Sequence, residues 1–148
     1  MLAFKDYQQR VLDAFDVYLA ELGAAKIKAD KIDHANELQD DPDLRLPKLD
    51  WPAAAWKAMQ AKGMIPQRKV GTHLAPFSPR FDELGNAVPA VCYKIPTGGG
   101  KTLLATASVS AMLGKLLLKN TGFILWIVPN EAIYTQTKKA LENREHPY

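Results

Sequence analysis

At 148 residues the chain has the length of one domain, enough to bury a core. It is 47% hydrophobic and 24% charged, which excludes a disordered polymer, and its net charge of +3 permits a polyanionic partner without requiring one. The single cysteine, Cys92, excludes an internal disulfide and suits a reducing cytoplasm.

Phe4, Tyr7, Val11, Phe15, Tyr18 and Leu22 recur at steps of three and four, so residues 4–22 are predicted to form an amphipathic helix, with Gly23 as its stop. The opening residues Phe4-Lys5-Asp6-Tyr7 do not have the basic-then-apolar order of a signal peptide. The longest apolar run, 123–128, is too short to span a bilayer. The expectation is a cytoplasmic chain with no membrane partner.

Residues 24–87 read as an insertion of loops and short helices. Prolines at 42, 47, 52, 66, 76, 79 and 89 break any long periodic element there or at its edge. One short helix is predicted over 53–62, capped by Asp50, with Pro52 in its first turn, Trp56 and Met59 inward and an end near Gly63. Trp51, Trp56 and Phe77 read as aromatics that pack the insertion rather than stack on bases. Lys57, Lys62, Arg68 and Lys69 read as a solvated basic face. Asp82-Glu83, followed by Gly85-Asn86, reads as a surface turn. The histidines His34, His73 and His146 have no metal-ligand spacing.

From residue 88 the texture changes. The runs 88–95 and 123–128 are predicted strands, 101–119 a helix, and 131–143 a second helix with Asn130 as its N-cap. Continuous apolar strands suit a parallel sheet covered on both faces, so the strand–helix–strand–helix order predicts a doubly wound α/β unit. Cys92, inside the first run, is expected to be buried.

Between the first strand and its helix lies Ile95-Pro96-Thr97-Gly98-Gly99-Gly100-Lys101-Thr102. A triphosphate can be approached by backbone N–H groups only where no side chain intervenes, and Gly98, Gly99 and Gly100 give that access. The helix that follows presents its first N–H groups and positive dipole end to the same anion. Lys101 supplies a charge for the β and γ phosphates of ATP, and the Thr102 hydroxyl a ligand for Mg²⁺. The general pattern has a first glycine where this chain has Ile95.

The form Pro96-Thr97-Gly98-Gly99-Gly100-Lys101-Thr102 resembles motif I of superfamily 2 helicases and translocases, in which that first glycine is commonly replaced. With the flanking runs Val91-Cys92-Tyr93-Lys94-Ile95 and Ile124-Leu125-Trp126-Ile127-Val128-Pro129-Asn130, the chain resembles the type III restriction enzyme Res subunit branch of DEAD/DEAH-like helicases. The resemblance covers residues 88–148 and the N-terminal helix. It implies a RecA-like P-loop NTPase fold, here an incomplete first lobe, with 1–23 as an N-terminal element, 24–87 as an insertion and 88–148 as the start of the ATP-binding domain.

Phe4-Lys5-Asp6-Tyr7-Gln8 is similar to the aromatic–glutamine element upstream of motif I, which implies that Gln8 reads the adenine edge. Pro129 and Asn130 stand at motif Ia, which implies contact with a nucleic-acid backbone. The implied cofactors are ATP and Mg²⁺, and the implied partners are double-stranded DNA and a modification methyltransferase subunit. Hydrolysis by this fold also needs an acidic pair on a later strand, and no such strand follows 123–128. The 148 residues are therefore expected to bind ATP without turning it over. A small P-loop phosphotransferase and a non-catalytic nucleotide-binding module are the alternatives.

Overall fold

The computed structural model describes residues 4–65, 69–70, 73–74 and 76–143. Four α-helices carry it: α1 (Asp6–Glu37), α2 (Trp51–Ala61), α3 (Lys101–Ala111) and α4 (Glu131–Glu142). A 3₁₀ turn at Pro42–Leu44 and a π-helical segment at Met112–Leu116 complete the helical structure. The chain divides into two compact units, Met1–Phe15 with Tyr93–Tyr148, and Asp16–Cys92.

Helix α1 does not stop at Gly23. It continues to Glu37 through a stretch rich in Ala and Lys, both good helix formers. The reason is burial: Tyr18, Leu19, Leu22, Ala25 and Ala29 are all buried, so the apolar stripe runs straight past the glycine. Gly23 in a helix interior costs about 1 kcal/mol relative to Ala, less than that stripe recovers.

In the second unit, Asp50 caps α2 by accepting the Ala53 N–H at 3.0 Å, and Pro52 sits in the first turn. Pro52, Ala55 and Met59 are buried on one face, and Gly63 leaves the helix at φ 68°. Lys62 reaches Glu21 of α1 at 2.7 Å, and Lys26 of α1 lies 5.7 Å from the Trp51 ring, so α1 and α2 are bridged by two cations. Trp56 and Phe77 meet with ring centroids 5.8 Å apart, a packing role. The Asn36 amide both donates to and accepts from the Leu46 backbone, which holds the segment after α1 back against the helix end.

Asp82 builds the expected surface turn. Its carboxylate accepts the Leu84 and Asn86 backbone N–H groups and the Asn86 side-chain amide, and Gly85 turns at φ 76°. The Asn86 side-chain bond, with the Asn86 and Leu84 N–H groups and Lys48, holds this carboxyl below its ordinary range.

The predicted parallel α/β sheet is not formed. Among the described residues the strands are β1 (Lys69–Val70) and β2 (His73–Leu74), a short antiparallel pair in the register Lys69 with Leu74 and Val70 with His73. Residues 88–95 and 123–128 carry no ladder. The apolar run 123–128 instead stands open to solvent, Phe123 at 93% and Ile127 at 82% exposure. A parallel pair needs a crossover that returns the second strand beside the first, and two strands alone form a marginal sheet. Here the crossover is cut short. Helix α3 ends at Ala111 rather than near 119, gives way to the π-helical turn around Gly114, and Leu118 reverses the backbone at φ 51°. Cys92, expected inside, is exposed for the same reason: without a sheet, the run that carries it has nothing to be buried under.

Helix α4 begins where expected, with the Asn130 side chain accepting the Ile133 N–H at 3.0 Å. Among the described residues no helix is long and apolar enough to cross a membrane.

Candidate functional site

The glycine-rich loop belongs to the first unit and leads directly into α3. Gly98 and Gly100 both take φ 76°, a left-handed conformation that a side chain would oppose. Gly99, between them, is buried: a Cβ there would meet the Ile95 side chain at 2.5 Å and the Pro96 carbonyl at 2.9 Å. The loop therefore folds on itself, closed by the Gly99 N–H donating to the Pro96 carbonyl at 3.1 Å. Helix α3 starts from Gly100 with no side-chain cap, which leaves its first N–H groups for another acceptor.

The loop is fastened at both ends. On the strand-like side, the Tyr93 hydroxyl lies 3.0 Å from Ser108 Oγ, and Ser108 donates its own proton to the Leu104 carbonyl at 2.7 Å. Tyr93 is thus the donor to Ser108. Its ring meets Phe15 edge-on, with centroids 5.8 Å apart. Leu104, in the first turn of α3, is fully buried. On the other side the start of α1 reaches over. Gln8, 5% exposed, accepts the Lys5 N–H at 2.9 Å and donates to the Gly99 carbonyl at 3.1 Å. The Tyr7 hydroxyl donates to the same carbonyl at 2.8 Å.

The predicted site residues are therefore brought together in part. Gln8 lies against Gly99 and Gly100. Lys101 and Thr102 open α3, with the Lys101 side chain exposed and its Nζ donating to the Pro96 carbonyl at 3.0 Å. Pro96, Thr97 and Gly98 form the exposed rim. Pro129 and Asn130 are exposed at the head of α4, where Asn130 Oδ1 is engaged as the helix cap. The Gln8 amide, buried, spans Lys5 and Gly99 by accepting from one and donating to the other.

The arrangement suits a phosphate chain with Mg²⁺. The cradle lacks Cβ atoms where they would collide, the uncapped helix start offers N–H groups, and Lys101 brings a charge that a neutral carbonyl holds less firmly than a phosphate would. Two features escaped the sequence reading. Tyr7 read as one position of an apolar stripe, and the Tyr93–Ser108 bond had as its signal only two hydroxyls at otherwise apolar positions.

The other candidates stay apart. Lys62 is occupied by Glu21, and Lys57 is exposed. Arg68 and His146 lie outside the described residues, as do the side chains of Lys69 and His73. His34 Nδ1 stands 3.7 Å from Glu37 on α1. No group of metal-ligating residues occurs among the described residues.

The family model described as type III restriction enzyme, res subunit, matches residues 2–148, almost the whole chain. The chain belongs to this family. Membership brings with it a helicase-like, ATP-binding character. No curated protein and no solved structure matches the chain.

Proposed function

We propose that the chain is the ATP-binding portion of a DNA-dependent ATPase, a helicase or translocase of the res subunit kind. The observation that carries this reading is the loop itself: a Cβ-free turn around Gly99, closed by Pro96 and followed by an uncapped helix that opens with Lys101 and Thr102. In it the loop N–H groups and Lys101 hold the β and γ phosphates, Thr102 ligates Mg²⁺, and Gln8 offers its remaining donor and acceptor to the adenine. ATP supplies the phosphoryl chemistry, and Mg²⁺ neutralises the phosphate charge. Double-stranded DNA is the polymer acted on, met by the backbone around Pro129 and Asn130, and a modification methyltransferase subunit is the protein partner.

Hydrolysis by this fold needs an acidic pair on a strand after the loop, and none occurs among the described residues there, so the proposal for these 148 residues by themselves is ATP binding without turnover. The test is a comparison of binding with turnover. Saturable Mg²⁺-ATP binding that is lost in Lys101→Ala, with no phosphate release, is the expected result. Steady turnover by the chain, abolished by Lys101→Ala, would overturn the non-hydrolytic part. Transfer of phosphate to a small acceptor would replace the motor reading with that of a phosphotransferase.

A further inference from the structure

We propose that Tyr7 is a positioning residue of the phosphate loop, its hydroxyl holding the Gly99 carbonyl so that the next peptide N–H faces the phosphate. This deepens the proposed function and rests on it.

The Gly99 carbonyl receives two donors from the start of α1, the Tyr7 hydroxyl at 2.8 Å and the Gln8 amide at 3.1 Å. A carbonyl oxygen has two lone pairs, so both are used. The chain contains no cis peptide among the described residues, and in a trans peptide the N–H points opposite to the carbonyl. Drawing the Gly99 carbonyl toward α1 therefore turns the Gly100 N–H away from α1. No side chain within the loop opposes rotation of that plane, because both flanking residues are glycines and Gly100 already sits at φ 76°. The restraint must come from outside the loop, and Tyr7 and Gln8 supply it.

The two donors are not equivalent. Gln8 is shared, its oxygen held by the Lys5 N–H. The Tyr7 hydroxyl is the shorter of the two bonds and sits on a rigid ring whose rotation about two torsions cannot easily carry it elsewhere. A half-buried tyrosine that only satisfied its own hydroxyl would serve the fold equally well on any acceptor. This one spends it on the peptide that leads into Gly100 and Lys101.

The test uses the full chain as wild type, Tyr7→Phe and Lys101→Ala, titrated with inorganic triphosphate and with ATP, all checked for helix content. Tyr7→Phe keeps the ring and removes the hydroxyl. Loss of one neutral hydrogen bond predicts about three- to tenfold weaker binding of both ligands. A tyrosine that served stability alone would lower the denaturation midpoint and leave these affinities unchanged, and that outcome overturns the proposal. Wild type that binds no triphosphate, or Lys101→Ala that binds as well as wild type, overturns the parent reading as well. A measurement without substitution stands beside it: with ¹³C at the Gly99 carbonyl, the shift of a doubly hydrogen-bonded carbonyl persists when triphosphate is added. A move toward the value of a free carbonyl shows that the loop lets go of Tyr7 on binding, and contradicts the role.

Discussion

Gln8 Nε2 stands 2.5 Å from the point where a Cβ on Gly100 would lie, so any side chain at the head of α3 would force the Gln8 amide to shift. Gly100 also carries φ 76°, where an L side chain costs about 1–2 kcal/mol. Gly100→Ala is therefore expected to destabilise the chain by about 1–3 kcal/mol, as strain plus displacement of a buried, hydrogen-bonded amide. The denaturant midpoint measures it. Gln8→Ala in the same chain removes the steric part and leaves the backbone strain, so the double variant loses less than the two single losses added together. Simple additivity would show that the two residues do not meet.

Helix α2 depends on its cap. Asp50→Ala removes the acceptor of the Ala53 N–H and is expected to cost about 1 kcal/mol, with an unchanged denaturant slope. Asp50→Asn, which keeps a side-chain oxygen, is expected to recover most of it. A loss in Asp50→Asn equal to that in Asp50→Ala would mean that charge, not the hydrogen bond, matters.

The Asp82 turn has a direction with pH. Its carboxyl is lowered from an ordinary value of 3.8, chiefly by the Asn86 side chain, so the unfolded turn takes up the proton first as the pH falls. The turn is therefore fully supported above the ordinary carboxylate range and loosens as the pH drops through the lowered native value. Amide exchange at Leu84 and Asn86 follows it. In Asn86→Ala the Asp82 titration, read by NMR, moves back up toward the ordinary value.

Tyr18 behaves in the opposite sense. Burial raises its phenol above 10.0, so the native state resists ionisation. Its contribution is complete below the unfolded value and is lost as the pH rises through the native one. Tyr18→Phe should flatten the alkaline fall in stability. An unchanged fall would assign it to other groups.

What was legible in the sequence was local. Asp50 and Asn130 announce their helices because a cap acts over three residues, and each accepts a backbone N–H three residues on. Gly98, Gly99 and Gly100 announce a backbone that must approach something closely, and the left-handed angles at Gly98 and Gly100 agree. Gly23 misled because its cost is local while the burial of Leu22, Ala25 and Ala29 is tertiary. The parallel sheet misled for a related reason. An apolar run such as 123–128 shows that a segment can be buried on both faces, not that partners stand beside it, and Phe123 and Leu125 are exposed instead. Tyr7 lay beyond reach because its partner, Gly99, is 92 positions away. Nothing in a stripe of apolar residues marks which hydroxyl will cross that separation.

The measurement closest to the central claim is the affinity of the chain for Mg²⁺-ATP, compared between wild type and Lys101→Ala. The Lys101 side chain is exposed and makes one hydrogen bond, to the Pro96 carbonyl, so its truncation should leave helix content and denaturation midpoint nearly unchanged. A charge-assisted bond to phosphate is worth about 1.5–3 kcal/mol, so binding should weaken by about 10- to 100-fold. Equal affinity in the two chains, or no saturable binding in wild type, would contradict the assignment of residues 96–102 as the triphosphate cradle.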